Sequence, residues 1–254
     1  MSRELDYGII IPVRMDSTRL PGKPLINLLG KSMIQRTWER CCQAVGVDKV
    51  YIATESNVIA SHVKNFGGNI VYTSNECLTG TDRVAEANKK LCLDFVINVQ
   101  GDEPVINPKD ILTIIKEYQS NRNNVVNGMA KIVDSEEFFS RNIPKVVFSN
   151  SKKLLYMSRS PIPGSKFNKF AFGYKQICIY AFSKEHLDRF TSFNEKTQFE
   201  KLEDIEILRF LENDISVKMV EVSGNSLAVD IPEDIKKVES LINKIDCNQI
   251  KNKE

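Results

Sequence analysis

The segment YGIIIPVRMDSTRLPGKPL, residues 7–25, decides the fold class of this chain. Its first part, residues 7–12, is a short apolar run with three consecutive isoleucines that stops at a proline. Runs of this kind are typical of strands buried on both faces of a parallel sheet. A polar loop that contains glycine and proline follows, from residue 13 to about residue 30. The segment therefore predicts a buried strand and a loop at the edge of a sheet.

A helix is predicted directly after this loop, because Ile34, Trp38, Cys41 and Val45 recur at steps of three and four residues. Strand, loop and helix in this order open a β-α-β unit. Strand-like and helical runs then alternate as far as residue 124, which predicts a doubly wound, mainly parallel sheet. The predicted elements are strands at 49–54, 69–73 and 94–99 and helices at 59–66 and 110–118.

After residue 124 the pattern changes, because strand-like runs follow one another with fewer helices between them. These runs are expected to add antiparallel strands and a substrate-facing lid. The Lys/Glu-rich run at 195–206 is interpreted as a mainly solvated helical face. The predicted fold class is α/β, a Rossmann-like, mainly parallel sheet with an added antiparallel, substrate-facing part. The later strands are predicted at 125–133, 145–149, 154–158, 173–182 and 216–222.

A last helix, over residues 229–246, is predicted to close the chain. Pro232 and Glu233 occupy its first turn after Asp230, which is a common start signal for helices. Residues 248–254 are expected to fray. Since no Gly/Ser-rich or Pro-rich linker interrupts the chain, we expect one domain over residues 1–254. The apolar face of this helix is predicted to consist of Ile235, Val238, Leu241, Ile242 and Ile245.

The composition excludes several classes of protein. A formal net charge of +2 over 254 residues provides no strong field for binding nucleic acid or an anionic membrane surface. No apolar stretch reaches the length that spans a bilayer, and the N-terminus lacks the apolar run of a signal peptide. The six cysteines are scattered without C-x-x-C spacing, which argues against structural zinc and a disulfide framework. We therefore expect a cytosolic protein without nucleic-acid or membrane partners.

The loop after the first strand contains the most informative side chains. Ligands of α/β proteins bind at the carboxyl edge of the sheet, where this loop lies. Its cations can make charge-assisted hydrogen bonds to a triphosphate, and backbone N–H groups can complete the cradle. It is neither a Walker P-loop nor a G-x-G-x-x-G turn, and a solvated basic loop is the alternative. The loop residues concerned are Arg14, Ser17, Thr18, Arg19, Gly22 and Lys23.

Two aspartates are candidate metal ligands. Asp102 lies in NVQGDEP, residues 98–104, after an apolar strand that ends at the same sheet edge as the basic loop. Asp230 lies between the apolar residues 227–229 and the last helix. Two carboxylates with phosphate oxygens and water can hold Mg²⁺ without a dedicated protein cage. For Asp230, an N-cap of the last helix is an equally good interpretation.

Blocks along nearly the whole chain resemble the 3-deoxy-manno-octulosonate (Kdo) cytidylyltransferases, also called CMP-Kdo synthetases. The blocks are IPVRMDSTRLPGKPL (11–25), TGTDRVAE (79–86), NVQGDEP (98–104), LYMSRSPIP (155–163) and VDIPED (229–234). The resemblance implies that the anomeric hydroxyl of a 2-keto-3-deoxy sugar acid attacks the α-phosphorus of CTP, which gives the CMP-sugar and pyrophosphate. It also implies Mg²⁺ on Asp102 and Asp230, CTP and an acidic sugar as partners, and a homodimer. Residues 1–124 would then form the nucleotide-binding half and residues 125–228 the sugar-binding and dimer part.

The same resemblance implies roles for individual residues. Arg83 and neighbouring backbone would read cytosine, although a helix start explains that segment as well. Arg159 would pair with the sugar carboxylate, a role that a guanidinium fork fits. The implied catalytic residues are Arg14, Lys23, Asp102 and Asp230. The implied nucleotide-binding residues are Pro12, Arg14, Ser17, Thr18, Arg19, Gly22, Lys23, Thr81, Arg83 and Gln100. The implied sugar-binding residues are Gln100, Arg159, Gln176, Tyr180, Glu206 and Ile207.

The chain departs from the family pattern in the sugar-binding part. The family shows His-x-Gly before the tyrosine and Glu-Gln before Leu-Arg, whereas this chain has Gln176-Ile-Cys178 and Glu206-Ile207. If Gln176 and Ile207 both face the sugar, two polar contacts are altered, and unpaired hydroxyls cost about 1–3 kcal/mol each. The departures therefore predict poor use of Kdo and a preference for a less hydroxylated or otherwise substituted acid.

Two alternatives stay open for the function. The alternatives to CMP transfer onto Kdo or a relative are a cytidylyltransferase for another acidic sugar, such as an 8-amino ulosonate, and a catalytically weak nucleotide-binding regulator. The intact Arg14, Lys23, Asp102 and Asp230 argue against the regulator. For an enzyme, we expect catalysis by positioning and charge neutralisation, without a covalent enzyme intermediate.

Overall fold

A computed structural model of the chain describes residues 5–17, 20–167, 169–193 and 195–251, without the side chains of residues 248–251. Strands and helices alternate along it, as predicted for an α/β fold. The strands are β1 Tyr7–Pro12, β2 Asn27–Leu28, β3 Lys31–Ser32, β4 Val50–Thr54, β5 Asn69–Tyr72, β6 Phe95–Val99, β7 Val125–Lys131, β8 Lys145–Phe148, β9 Leu154–Ser158, β10 Tyr174–Ser183 and β11 Val217–Glu221. The helices are α1 Met33–Val45, α2 Asn57–Asn65, α3 Gly80–Leu91, α4 Pro108–Ser120, α5 Ser135–Phe139, α6 Lys184–Phe190, α7 Gln198–Glu203, α8 Ile207–Glu212 and α9 Pro232–Lys251.

The strand predicted from the opening segment is β1, and it lies inside the sheet between β4 and β6, parallel to both. Ile9, Ile10 and Ile11 are fully buried. Ile10 packs into the apolar cluster on one face of the sheet, and Ile9 and Ile11 pack into the cluster on the other. Successive apolar residues are therefore needed here, because neighbouring strand residues point to opposite faces and both faces are covered.

Within the described residues, nine strands form one sheet, and its main path runs β11-β7-β10-β6-β1-β4-β5. Strands β6, β1, β4 and β5 are parallel. Strand β10 is antiparallel to both of its neighbours, β6 and β7. Strands β8 and β9 form an antiparallel pair attached to β10. The predicted fold class is confirmed, although β11 and β7, in the half expected to add antiparallel strands, pair in parallel.

Helices cover the sheet on both sides. One face packs against α1, α2 and α4 through residues such as Ile34, Ile59 and Ile114. The other face packs against α3, α6 and α8 through residues such as Val84 and Leu187. Of the helices in the described part of the chain, none combines the length and apolar character needed to cross a membrane. The two-sided cover leaves the ends of the strands as the place where loops can form a site.

The last helix, α9, packs over the segment that leads from the loop after β1 into α1. Val238 and Ile242 lie in a small apolar cluster with Leu28 and Met33. The other three residues of the predicted apolar face pack against the same cluster, which confirms that face. The helix continues to Lys251, although the sequence predicts fraying from residue 248. Because α9 is anchored beside α1, the residues just before it are brought to the ends of β1 and β6.

Candidate active site

A cavity of about 370 Å³ opens at the carboxyl edge of the parallel strands. This volume lies within the range of small-molecule sites, about 300–1,000 Å³. The loops after β1 and β6, the first turn of α3, part of β10 and the segment before α9 form its wall. Residues predicted to bind metal, nucleotide and sugar thus share one cavity. The predicted residues on its wall are Pro12, Arg14, Ser17, Lys23, Arg83, Gln100, Asp102, Arg159, Gln176, Tyr180, Glu206 and Asp230.

The loop after β1 presents a cation to this cavity. Arg14 is exposed and lines the wall. The hydroxyl of Ser17 accepts the N–H of Leu20 at 3.3 Å, so it closes a local turn as well as lining the cavity. Thr18 and Arg19 lie outside the described residues. The described part of the loop is therefore compatible with the predicted phosphate cradle.

Gly22 and Lys23 lie where this loop turns into a short helical segment. Gly22 has φ of 67°, in the left-handed region that a Cβ disfavours, and it precedes a short 3₁₀ turn that begins at Lys23. The Nζ atom of Lys23 lies 2.6 Å from Oδ2 of Asp102 and 3.1 Å from Oδ1 of Asp230. Burial lowers the pKa of Lys23, but the two carboxylates outweigh this effect and raise it above its usual value. One ammonium thus interacts with both predicted metal ligands.

A backbone hydrogen bond brings the two aspartates together. The N–H of Val229 donates to the carbonyl of Asp102 at 3.1 Å, which places Asp230 beside the end of β6. Gly101 allows the ends of β1 and β6 to approach, because a Cβ there would lie only 3.0 Å from the side chain of Val13. The carboxylate pair is therefore a product of tertiary contacts between three distant segments.

The start of α9 bears on the alternative role of Asp230 as a helix cap. The Oδ2 atom of Asp234 accepts the N–H groups of Asp230 and Ile231 at 3.0 and 3.1 Å. These N–H groups are thus bonded from within the first turn of the helix. The carboxylate of Asp230 also contacts Lys23 on the cavity wall, as expected for a residue of the predicted site.

A third carboxyl, Glu103, lies behind the pair. It is buried, and its Oε2 atom accepts a hydrogen bond from the hydroxyl of Ser226. Burial, and after it the negative charge of Asp102, raise the pKa of Glu103 to about 7. Near neutral pH it therefore carries only part of a negative charge.

The first turn of α3 forms another part of the wall. The side chain of Thr79 accepts the N–H of Asp82, which confirms the helix start. The carboxylate of Glu206 accepts the N–H groups of Gly80 at 3.1 Å and of Thr81 at 2.8 Å, at the positive end of the helix dipole. The hydroxyl of Thr81 also bonds Glu206, and Thr81 is only 2 % exposed. Its side chain therefore holds Glu206 in place, which corrects the expectation that it binds the nucleotide.

Arg83 and Gln100 meet at this turn. The Nη1 atom of Arg83 lies 2.6 Å from a carboxylate oxygen of Glu55 and also donates to the hydroxyl of Thr73. The side chain of Gln100 packs against Gly80, where a Cβ would lie 3.1 Å from it. The first turn of α3 and the end of β6 therefore bring Arg83 and Gln100 to one part of the cavity wall, where Arg83 pairs with a carboxylate.

Arg159 follows β9 and is held by backbone carbonyls. Its Nε donates to the carbonyl of Glu203 at 2.5 Å, and its Nη2 donates to that of Asp204 at 3.0 Å. Its Nη1 donates to the carbonyls of Arg141 and Asn142 at 3.2 and 3.3 Å. Its Nη2 also lies 4.0 Å from the exposed carboxylate of Asp204. Carbonyl oxygens carry only partial charges and this carboxylate is solvated, so the guanidinium can still attract an anion in the cavity.

Strand β10 contributes Gln176 and Tyr180. The Nε2 atom of Gln176 donates to Oδ1 of Asn127 at 3.1 Å. Burial raises the pKa of Tyr180 well above its usual value, so its hydroxyl stays protonated. The register of β10 against β7 shifts between Ile177 and Tyr180, and irregularities of this kind often redirect side chains beside a site.

The sequence predicts Ile207 beside the sugar, and the structure places it in the core. It is 1 % exposed and belongs to the same apolar cluster as Leu208 and Phe210. Glu206 reaches the cavity, but successive helical residues are rotated by about 100°, so its neighbour points elsewhere. The prediction for Ile207 is therefore wrong, and only one of the two departures from the family pattern lies on the cavity wall.

Ile207→Gln is expected to lower the free energy of unfolding by about 1–3 kcal/mol, because an amide would be buried in an apolar cluster without partners. The KM for the sugar should not change. Thermal unfolding and sugar-dependent kinetics measure the two effects. Ile207→Leu is the control and should cost less than about 1.5 kcal/mol. An improved sugar KM in the glutamine variant would return this residue to the pocket.

Sequence reasoning missed part of the wall. Lys196 and Asp204 line the cavity near Arg159, and the Nζ of Lys196 lies 3.1 Å from Oδ1 of Asp204. Both belong to the run interpreted as a solvated helical face. In the same run Glu200 is fully buried and pairs with Arg209 at 2.7 Å. The interpretation is wrong for Glu200 and for the half-buried Lys196, whereas Asp204 is exposed as expected. A charged run does not show which of its members fold back onto the protein.

Fold and site define a nucleotidyltransferase, and the model of the cytidylyltransferase family matches residues 8–220. A 3-deoxy-manno-octulosonate cytidylyltransferase of Chlamydia felis is 40% identical over 236 residues, which cover 92% of this chain and 92% of that protein. One from Thermodesulfovibrio yellowstonii is 38% identical and covers 92% of this chain and 97% of its own length. A solved structure of CMP:2-keto-3-deoxy-manno-octonic acid synthetase complexed with CTP matches with a TM-score of 0.86 and 34% identity, covering 94% of this chain and 99% of that one. The chain therefore belongs to the 3-deoxy-manno-octulosonate cytidylyltransferase family.

Proposed function

We propose that this protein transfers CMP from CTP to the anomeric hydroxyl of Kdo and releases pyrophosphate. One observation carries the proposal: a single cavity joins the carboxylate pair bridged by Lys23 to the guanidinium of Arg159. The first group suits a metal-bound triphosphate, and the second suits the carboxylate of a sugar acid. The matching structure complexed with CTP and the names of the relatives support both substrates.

Mg²⁺ is the proposed cofactor, held by Asp102 and Asp230. Both carboxylates already share one cation, the ammonium of Lys23, and hard carboxylate oxygens suit Mg²⁺. In the described part of the chain, no group of three or more His, Cys, Asp or Glu could hold a metal. The remaining ligands would therefore come from phosphate oxygens and water. When bound, Mg²⁺ would neutralise phosphate charge and lower the pKa of the attacking hydroxyl.

The chain's own residues contribute positioning and charge. Arg14 is proposed to stabilise the α-phosphate as it becomes five-coordinate, and Lys23 to exchange its aspartate contacts for phosphate contacts. Arg159 orients the sugar through its carboxylate, so that the anomeric hydroxyl faces the α-phosphorus. No side chain acts as a nucleophile in this scheme. A nucleotidylated protein trapped in a quenched single turnover would contradict it.

Kdo itself is the proposed acceptor. The sequence-based expectation of poor Kdo use assumed that Gln176 and Ile207 both face the sugar. With Ile207 in the core, only Gln176 remains on the wall, and its amide can still hydrogen-bond a hydroxyl. The argument for a different sugar therefore loses half of its basis.

Pyrophosphate release from CTP and Mg²⁺, with one ulosonic acid added at a time, tests the proposed function. We expect kcat/KM for Kdo of about 10⁴ M⁻¹s⁻¹ or higher. Faster turnover of an 8-amino or less hydroxylated acid would restore the sequence-based hypothesis. CTP binding without turnover of any acid would favour the nucleotide-binding regulator.

Lys23→Met is expected to tighten Mg²⁺ binding to the nucleotide-free protein by about 10-fold to 100-fold. The ion would no longer compete with an ammonium whose charged hydrogen bonds contribute about 1.5–3 kcal/mol each. Calorimetric titration with MgCl₂ measures the change. Lys31→Met is the matched control, because its Nζ lies 2.7 Å from Glu39 at the surface. Unchanged or weaker Mg²⁺ binding in the Lys23 variant would remove the metal from this carboxylate pair.

We also propose a cytosolic homodimer. Several large apolar side chains are exposed in residues 125–228, and exposed apolar surface marks sites of association. Light scattering of the purified protein measures its mass, and a monomer at micromolar concentration would contradict the dimer. The exposed side chains concerned are Val133, Leu155, Phe167, Phe172, Phe199 and Leu202.

A further inference from the structure

Lys145 is a fully buried lysine that is held by backbone carbonyls. It is the first residue of β8, and its side chain is 0 % exposed. Its Nζ donates to the carbonyls of Ser140 and Ile143 at 2.6 Å each and to that of Arg159 at 2.7 Å. Burying an ammonium is costly, even when hydrogen bonds satisfy all three of its donors. Such a group is expected to have a role beyond packing.

The three carbonyls belong to two segments that meet at the cavity. Ser140 and Ile143 lie in the loop 140–144 between α5 and β8, and Arg159 lies just after β9. Asn142 and Pro144 of this loop line the cavity together with Arg159. Lys145 therefore connects two parts of the wall from behind.

The guanidinium of Arg159 rests on the same loop. Its Nη1 donates to the carbonyls of Arg141 and Asn142, which lie between the two loop residues that Lys145 holds. The carbonyl of Pro144 also accepts the N–H of Gln176 at 3.0 Å, which ties the loop to β10. Lys145 thus holds both the backbone of Arg159 and the surface that supports its side chain.

Glu203 holds the other end of the Arg159 backbone. Its carboxylate accepts the N–H of Arg159 at 2.8 Å and the hydroxyl of Ser158 at 2.6 Å. The N–H of Arg159 is therefore bonded to a carboxylate and its carbonyl to an ammonium. These two bonds fix the peptide units on both sides of its Cα, which sets where the guanidinium can reach.

We propose that Lys145 is a positioning residue for the acidic sugar. It holds the carbonyl of Arg159 and the loop 140–144 so that the guanidinium meets the sugar carboxylate. The inference rests on the proposed function, which assigns Arg159 to that carboxylate. Because a displacement of 1 Å in a positioned group can cost about 100-fold, loss of these bonds should affect the sugar strongly.

Lys145→Met removes the three donors and keeps most of the side-chain volume. We expect KM for the sugar acid to rise by about 10-fold or more, while KM for CTP stays within about twofold. Pyrophosphate release is measured with each substrate varied at saturating levels of the other, and thermal unfolding reports the folded state. Lys218→Met is the matched control, because its Nζ also donates to a backbone carbonyl, that of Ser151, away from the cavity.

The pH dependence of the unmodified protein provides a test that needs no variant. Burial, and after it the positive charge of Arg159, lower the pKa of Lys145 to about 8. The negative charge of Glu203 raises this pKa, and the positive charge of Arg141 lowers it further. Lys175 lies opposite on β10 and pairs with Glu137. Below pH 8 the ammonium of Lys145 donates a hydrogen bond to each of the three carbonyls. The neutral amine has only two hydrogens, so one of the three bonds is lost above this pH. KM for the sugar should therefore rise between pH 7 and 9 in the unmodified protein and stay flat in Lys145→Met.

The outcomes separate this inference from the proposed function. A purely structural role predicts a lower unfolding temperature with both KM values unchanged or equally changed, and that result would overturn the inference. A sugar KM independent of pH between 7 and 9 would overturn it as well. Arg159→Ala distinguishes a failure of the role of Lys145 from a failure of the role of Arg159. If Arg159→Ala raises the sugar KM and Lys145→Met does not, only the role of Lys145 fails. If Arg159→Ala leaves the sugar KM unchanged, the assignment of Arg159 fails and the inference falls with it.

Discussion

Asp102→Asn and Asp230→Asn are each expected to lower kcat by at least about 10³-fold. A bound metal stabilises the transition state by several kcal/mol, and each loss of about 1.36 kcal/mol slows the reaction tenfold. The amide has the shape of the carboxylate but lacks its charge, so a hard divalent ion would be held poorly. The fold should persist, because the contact between Asp102 and Val229 uses backbone atoms. Steady-state pyrophosphate release and thermal unfolding measure the two quantities.

The control for these variants is Asp188→Asn, at an exposed position on α6. It makes the same chemical change away from the cavity and should leave kcat and the unfolding temperature unchanged. Turnover near the unmodified level in either site variant would exclude that aspartate from the site. A large loss of kcat together with a collapsed unfolding temperature would instead indicate a structural role for the carboxylate.

Arg14→Ala is expected to lower kcat by about 10² or more, with a smaller effect on the Kd for CTP. Its guanidinium would interact most strongly with the α-phosphate when charge builds up in the transition state. Single-turnover kinetics and CTP titration separate the two quantities. Arg122→Ala, which removes an exposed arginine bonded to the carbonyl of Gln119, is the control. An unchanged kcat with weaker CTP binding would reassign Arg14 to ground-state affinity.

Local patterns were sufficient for the elements that position the site. The isoleucine run of β1 ends at Pro12, and the signals at the start of α9 surround Pro232. Both predictions hold because burial on two faces and helix initiation depend on neighbouring residues. The parallel core of the sheet follows in the same way from alternating strands and helices. The relative positions of these elements depend on contacts between distant segments.

The side chains around Arg159 show where a sequence pattern is insufficient. Lys145 occurs in a strand-like run, and nothing in its neighbours reveals that its ammonium is buried behind the cavity wall beside Arg159. Lys196 stands in a charged run and folds back to the cavity. The deciding contacts are three backbone carbonyls for Lys145 and the carboxylate of Asp204 for Lys196. A one-dimensional pattern does not contain those distances.

By itself, the sequence determined the fold class, the alternation of strands and helices in the nucleotide half and the polar loops that follow its strands, because these depend on short-range patterns of apolar and polar residues. Tertiary structure alone decided that Asp102 and Asp230 share the ammonium of Lys23, since that contact requires three distant segments to meet. It also decided that Glu206 faces the cavity while Ile207 enters the core. Matching a motif gives the position of a residue along the chain, and only packing determines the direction in which its side chain points.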